Sequence, residues 1–163
     1  MDRAIGFYPT GQEFESLIGD SEIQIYNRIT MYEYRVKKVL RVVDGDTIDV
    51  DIDLGFNVSY TQRVRLAGID TPESRTTDLK EKALGLEVKE YLKHCLEGAE
   101  DVVIQTEKPD SSEKYGRILG WLFINDDDTS LNEKMINEGY AWEYDGGTKK
   151  KDFDSLLAKR AKS

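Results

Sequence analysis

The chain has 163 residues, of which 39% are apolar and 34% are charged, with a formal net charge of −9. This length and composition are typical of one folded domain with a real core rather than of a disordered chain. No apolar run approaches the roughly 20 residues that a membrane-spanning helix requires, and no signal peptide is visible at the N-terminus. The single cysteine, Cys95, excludes an internal disulfide and fits a reducing compartment, so we expect a cytoplasmic protein.

The negative charge weighs against a protein that binds nucleic acid, because phosphate groups are normally met by a basic surface. The charge is unevenly distributed, since residues 1–33 carry six acidic and only two basic side chains. The potential at one site can also differ from that of the whole surface. The acidity therefore disfavours tight, non-specific duplex binding but leaves catalysis on nucleic acid open.

The first half of the chain predicts an extension followed by three strands. Residues 1–30 are polar and acidic without clear periodicity, so we interpret them as an extension of unknown role before a compact domain at residues 31–163. Residues 34–43 suit a first strand. The segment 47–53 alternates strictly between apolar and polar side chains and predicts a half-buried second strand. Residues 58–66 predict a third.

The second half of the chain predicts a helix, two strands and two further helices. The helix over 78–97 places its apolar side chains on one stripe before a glycine ends it. The later elements are strands at 102–106 and 118–124, a short helix opened by the capping box Ser130-Leu131-Asn132-Glu133, and an amphipathic helix from Phe153 to Arg160. This order matches an OB-fold, so the expected class is α+β: a five-stranded β-barrel with about three packed helices.

The alternation Asp49-x-Asp51-x-Asp53 is only superficially similar to a calcium-binding EF-hand loop. Glycine stands at loop position 7 rather than 6, and position 12 is Tyr60 instead of a bidentate glutamate. These aspartates are better explained as the solvated face of the second strand. The only histidine, His94, lies within the predicted helix and cannot form a histidine-rich zinc site.

Three short segments combine acidic and basic residues in a way that suggests chemistry. Asp44-Gly45-Asp46-Thr47 is by itself a common turn signal, yet it would hold Asp46 at the start of a rigid strand. The segment from Arg65 to Glu73 carries two acidic residues into a proline-containing turn, and Lys114-Tyr115-Gly116-Arg117 precedes a strand. Together they offer oxygen ligands for a hard cation, a free carboxylate and two guanidinium groups.

In residue type, order and spacing, these segments resemble the staphylococcal nuclease (thermonuclease) family over roughly residues 34–160. The match is specific, because the arginine five residues before Asp70-Thr71-Pro72-Glu73 is itself part of the family pattern. The resemblance implies an OB-fold barrel with three helices, dependence on Ca²⁺, and endonucleolytic hydrolysis of DNA and RNA to 3′-phosphates. We expect single-stranded or locally opened nucleic acid as substrate, no membrane association, no obligate protein partner and a monomer.

The resemblance also implies the metal ligands and the residue that contacts water. The carboxylates of Asp46 and Asp70 and the main-chain carbonyl of Thr71 would bind Ca²⁺, which prefers such oxygen donors. Glu73 would contact the attacking water. Its role as general base competes with simple water positioning, since a carboxylate close to a cation and two arginines is a weak base.

The remaining implied residues bind substrate. Arg65 and Arg117 correspond to the arginines that grip the scissile phosphate, and their planar guanidinium groups bind phosphate oxygens in pairs. Tyr115, with Lys114 beside it, would contact a neighbouring phosphate, and Tyr144 would pack near a base.

Two alternatives of another class are open. One is a catalytically weak nuclease-like module that binds nucleic acid or serves as an interaction domain. It predicts missing carboxylates or arginines, whereas each of those discussed above is present. The other is a plain OB-fold binder of single strands, which would need aromatic stacking platforms rather than an acidic cluster.

Overall fold

A computed structural model of the chain describes residues 32–106 and 117–162. These residues belong to one compact unit, Tyr32–Ser163. The predicted extension at residues 1–30, and the predicted substrate contacts Lys114 and Tyr115, lie outside the described residues. Within the described ranges, no helix has both the length and the apolar character needed to cross a membrane.

Five strands of the described chain close into a barrel. They are β1 (Tyr32–Asp44), β2 (Thr47–Asp53), β3 (Ser59–Leu66), β5 (Val102–Thr106) and β6 (Ile118–Ile124), while β4 (Ile69–Asp70) and β7 (Trp142–Glu143) form a separate two-stranded sheet. The order around the barrel is β1-β2-β3-β6-β5. Neighbouring barrel strands are antiparallel except β3 and β6, which are parallel. The predicted α+β class and five-stranded barrel are confirmed.

Three helices are found among the described residues: α1 (Leu79–Glu97), α2 (Leu131–Asn137) and α3 (Phe153–Arg160). Each begins after a side chain that accepts hydrogen bonds from otherwise unpaired backbone N–H groups of the first turn. The N-caps are Asp78, Ser130 and Asp152. The sequence therefore specifies where each helix starts, in agreement with the three predicted helices.

The barrel core follows from the alternation of β2. Ile48, Val50 and Ile52 point inward and are buried, whereas the three aspartates of the strand lie on the opposite face. The apolar face of helix α1 covers one side of the barrel, and its Val88 and Leu92 are fully buried in the same core. Among the residues that the structure describes, no group of three or more His, Cys, Asp or Glu side chains is placed so that they could hold a metal ion together.

The two-stranded sheet was not predicted from the sequence. It pairs Ile69 with Glu143 and Asp70 with Trp142, and the N–H of Tyr144 extends the pairing by donating to the carbonyl of Gly68 at 2.9 Å. Strands of two residues are too short for an alternation to be recognised. Their effect is large, because they hold the segment after α2 against Asp70.

Helix α1 lies directly against the backbone that carries Glu73. A Cβ atom at Gly85 would lie 2.5 Å from the carbonyl carbon of Glu73 and 2.6 Å from the nitrogen of Ser74. Both are backbone atoms, which cannot move aside as the end of a flexible side chain could. Glycine at this position therefore sets the distance between α1 and Glu73.

Gly85→Ala should lower the free energy of unfolding by about 1 to 3 kcal/mol, because overpacking outweighs the higher helix propensity of alanine. Urea denaturation followed by circular dichroism measures this. Gly98→Ala is the matched control, since Gly98 ends the same helix at φ −84° and its nearest contact for a Cβ is 3.4 Å. That variant should be neutral or slightly more stable. Equal losses at both positions would contradict the packing argument.

Candidate active site

Five of the predicted site residues line one cleft of about 960 Å³ beside the barrel: Asp46, Arg65, Glu73, Arg117 and Tyr144. Asp70 and Thr71 are buried, each only 3% exposed. Asp70 reaches the cleft through ion pairs with Arg65 and Lys149, which both line it. The structure thus brings together residues that are far apart in the sequence.

Arg65 connects the two acidic residues predicted as metal ligands. Its Nη1 donates to Oδ2 of Asp46 at 2.5 Å, and its Nη2 lies 3.5 Å from Oδ1 of Asp70. The same Nη2 donates to the carbonyl of Ile69 at 3.2 Å. The side chain is only 7% exposed, and its position is set by the β2–β3 register, in which Arg65 lies opposite Thr47.

The environment of Asp46 disfavours its negative charge. Burial raises the pKa of Asp46 above its usual value and outweighs the opposing effects of Arg65 and of the Thr47 hydroxyl, which donates to Oδ1 at 2.8 Å. The nearby carboxylate of Asp70 raises this pKa further. Two poorly solvated carboxylates that repel each other form a place where an additional cation is electrostatically stabilised.

Thr71 lies against the turn that presents Asp46. A Cβ atom at Gly45 would lie 2.9 Å from Oγ1 of Thr71 and 2.7 Å from Cγ1 of Val88. Glycine at this turn therefore allows the segment after Asp70 to approach Asp46 closely. Asp46, Asp70 and Thr71 then suit a hard cation, because carboxylate and carbonyl oxygens are its preferred donors.

Glu73 combines a fixed backbone with an accessible side chain. Its N–H donates to Oε1 of Glu81 at 3.3 Å, and this oxygen also accepts from Nζ of Lys151 at 2.7 Å. The carboxylate of Glu73 is 43% exposed at the cleft. The arrangement anchors the main chain while leaving the carboxylate available to a water molecule.

Lys149 is a second cation of the site. Its Nζ lies 2.8 Å from Oδ1 of Asp70 and 3.6 Å from Oε1 of Glu73. Partial burial acts to lower the pKa of Lys149, but the hydrogen bond to Asp70 and the charges of Asp70 and Glu73 outweigh it, so the pKa lies above its usual value. Lys149 therefore remains a charged counter-ion of the carboxylates.

Arg117 and Tyr144 complete the rim of the cleft. In the parallel β3–β6 pairing, Arg65 lies opposite Leu119. Arg117, two residues earlier, therefore falls on the same outer face and lines the cleft. The ring centroid of Tyr144 is 5.7 Å from Cζ of Arg65, within the range of a cation–π contact.

Sequence reasoning missed three residues that shape the site: Lys149, Glu81 and Gly85. Lys149 stands in a run of three lysines whose positions the sequence alone does not distinguish. Glu81 has the appearance of an ordinary first-turn helix residue. Gly85 did give a signal, because a glycine within a helical pattern often marks a close approach of another segment.

Comparison with known proteins points to the same family as the sequence motifs. The family model described as staphylococcal nuclease homologue matches residues 63–163. Relatives include an uncharacterized protein of Bacillus anthracis, 37% identical over 63% of this chain and 44% of that protein. The thermonuclease of Staphylococcus hyicus is 34% identical over 64% of this chain and 56% of its own length. The micrococcal nuclease of Shigella flexneri is 34% identical over 66% and 57%. The chain thus spans about half the length of these relatives.

Arg65→Ala should destabilise the fold by about 3 kcal/mol at neutral pH, because it leaves partly buried Asp46 without its counter-ion and buried Asp70 with Lys149 alone. The pKa of Asp46 is raised in the folded state, so protonation relieves this cost as the pH falls. The loss should be smaller at about pH 5 than at about pH 7. Urea denaturation at both pH values tests this, with Arg63→Ala as control, because the Arg63 side chain lies on the same strand but is 45% exposed. Similar losses for both variants would contradict the buried ion-pair argument.

Proposed function

This chain belongs to the staphylococcal nuclease homologue family, and on that basis we propose that it is a Ca²⁺-dependent endonuclease. It hydrolyses phosphodiester bonds of single-stranded or locally opened DNA and RNA, leaves 3′-phosphates, and acts as a cytoplasmic monomer. The observation that carries the proposal is the cleft in which buried Arg65 joins buried Asp70 and partly buried Asp46 beside Arg117 and Glu73. The nuclease names of two relatives support the same activity.

Arg65 and Arg117 bind the oxygens of the scissile phosphate in this mechanism. They belong to neighbouring chain segments on one face of the barrel and line the same cleft. Nucleophilic attack adds negative charge to a group that is already anionic. Paired guanidinium N–H groups stabilise that charge more strongly in the transition state than in the diester, which is the condition for catalysis.

The carboxylates of Asp46 and Asp70 and the main-chain carbonyl of Thr71 are the proposed ligands of Ca²⁺. When bound there, the ion supplies Lewis-acid polarisation of a phosphate oxygen. These three protein oxygens would hold the ion, because carboxylate and carbonyl oxygens are the donors that a hard cation prefers. The repulsion between the carboxylates of Asp46 and Asp70 supports this assignment.

Glu73 holds the attacking water in this mechanism. Its exposed carboxylate accepts a hydrogen bond from water, while the hydrogen bond from its backbone N–H to Glu81 keeps the backbone in place. As the water oxygen bonds to phosphorus, one of its protons moves to Glu73 and the P–O5′ bond breaks. The leaving O5′ keeps the bonding electron pair and takes up a proton from solvent, and Glu73 returns its proton to solvent. The products are a 3′-phosphate and a 5′-hydroxyl. Positioning of the water without proton transfer is the alternative role of Glu73.

Tyr144 packs against a base next to the scissile phosphate in the proposed complex. Its ring lies at the rim of the cleft close to Arg65, and aromatic rings in such positions stack on unpaired bases. This favours single-stranded or opened substrate. Lys114 and Tyr115, outside the described residues, are assigned to a neighbouring phosphate by the family resemblance alone.

One observation favours a second function, that of a catalytically weak module that binds nucleic acid. Lys149 already neutralises Asp70, with its Nζ 2.8 Å from the carboxylate. A cation that must displace an internal ammonium binds less tightly. A module with very weak metal binding would retain the arginine-lined cleft but hydrolyse slowly.

Digestion of single-stranded DNA distinguishes the two functions. With Ca²⁺ the protein should release fragments that carry 3′-phosphates, and with excess chelator it should release none. Glu73→Gln, which removes the proton acceptor but conserves size, should lose activity by about a hundredfold or more while folding normally. Equal digestion with and without chelator would exclude the calcium assignment. No digestion under either condition would support the binding module.

Lys149→Met should bind Ca²⁺ about five- to tenfold more tightly, because a positive charge close to a cation site lowers its affinity. Isothermal titration calorimetry measures this without reference to activity. Lys150→Met is the matched control, since Lys150 is exposed and does not line the cleft. Unchanged or weaker calcium binding by Lys149→Met alone would show that Lys149 does not compete with the metal.

A further inference from the structure

A second hollow, of about 780 Å³, adjoins the active-site cleft on the outer face of β1, β2 and β3. Arg41, Asp49 and Arg63 line it, and we call these three residues the arginine triad. The hollow and the cleft share three lining residues, Asp44, Thr47 and Arg117. A chain-like ligand that leaves the cleft across these residues would enter the second hollow.

The strand register places the arginine triad beside the active site. Asp49 of β2 lies opposite Arg41 of β1 and opposite Arg63 of β3. Two residues earlier on β2, Thr47 lies opposite Arg65. Side chains two residues apart share a face of the sheet and are separated by roughly 6.6 Å along the strand. The triad is therefore the next outward-facing row after the row that contains Arg65.

An irregularity in β1 brings Arg41 to this face. The pairing of β1 with β2 shifts between Val42 and Asp44, so that Asp44 lies opposite Thr47 while Arg41 lies opposite Asp49. Residues 41 and 44 are an odd number of positions apart and would face opposite sides of a regular strand. The β-bulge re-aims the chain and puts both on the outer face.

The triad carries one excess positive charge and is preorganised. Arg63 binds Asp49 through Nε at 2.6 Å and Nη2 at 2.9 Å, and Arg41 binds the same carboxylate through Nη2 at 2.9 Å. The hydrogen bond from Arg63 is the main reason that the pKa of Asp49 is lowered. One carboxylate thus holds two guanidinium groups side by side, which reduces the entropy lost when they bind an anion.

Structural stabilisation is a weak explanation for this arrangement. The side chains of Arg41 and Arg63 are 61% and 45% exposed, and exposed ion pairs contribute only about 0 to 1 kcal/mol. One arginine would neutralise Asp49, so the second adds charge to a chain whose net charge is −9. A local positive surplus attracts a polyanion even when the whole protein is acidic.

We propose that the arginine triad binds the phosphodiester backbone of a single strand of nucleic acid, about one nucleotide beyond the scissile phosphate. The inference rests on the proposed function, because its ligand is the same strand that occupies the active-site cleft. The triad would add phosphate contacts without reading sequence. It would therefore favour substrates long enough to reach from the cleft to the second hollow.

Binding of a fluorescent single-stranded decanucleotide, measured by anisotropy in the presence of chelator, tests the triad independently of cleavage. The double variant Arg41→Ala/Arg63→Ala should bind about tenfold more weakly than the wild type. The slope of log K against log salt should decrease by about 0.7 for each phosphate that the variant no longer binds. Inorganic phosphate, added to the wild type at the same ionic strength, should not weaken binding of the decanucleotide to the same extent. That result is expected if the triad binds the strand rather than a free anion.

Arg35→Ala/Lys93→Ala is the matched control, because it removes the same charge from side chains that line neither the cleft nor the second hollow. It should leave both affinity and salt slope near those of the wild type. Equal effects of the two double variants would overturn the triad proposal, since they would reflect total charge alone.

Cleavage of the decanucleotide and of a dinucleotide in the presence of Ca²⁺ is measured separately. If neither substrate is cleaved, the proposed nuclease activity is refuted. The anisotropy result would still decide whether the triad binds the strand.

Discussion

The buried ion pairs of Arg65 with Asp46 and Asp70 are the interaction on which the rest of the site depends. They join β3 to the start of β2 and to the short strand β4, so one guanidinium fixes three segments. None of these charges is tolerable alone in a buried position, because an uncompensated buried charge costs several kcal/mol. The β2–β3 register aligns the partners, since Thr47 pairs with Arg65. The fold and the electrostatics therefore support one another.

The same arrangement places two negatively charged side chains close together, at a cost in stability. Asp46 and Asp70 repel each other, and burial already disfavours the charge on Asp46. Arg65 and Lys149 compensate part of this cost from two sides. A site built for stability alone would have no reason to place two poorly solvated carboxylates together. A cation bound beside them would relieve part of the repulsion.

The placement of the site depends on two close approaches that glycine permits. Gly45 lets Thr71 reach the turn before β2, and Gly85 lets helix α1 rest on the backbone of Glu73. The sheet of β4 and β7 then holds Tyr144 and the following loop over Asp70. Rigid elements thus surround a cleft whose rim is formed by a loop. Such a combination is common in binding sites, where a rigid scaffold positions residues carried by loops.

The sequence by itself determined the five barrel strands, the three helices and the family, because each is encoded locally. The alternation of β2, the stripe of α1 and the spacing from Arg65 to Glu73 are all readable along one segment. Only the tertiary structure decided the partners of Lys149, the role of Gly85 and the arginine triad. These depend on contacts between distant segments, such as Lys149 with Asp70, which exist only once the barrel has closed. Local patterns cannot specify them, since a surface lysine or arginine has the same appearance in sequence wherever its partner lies.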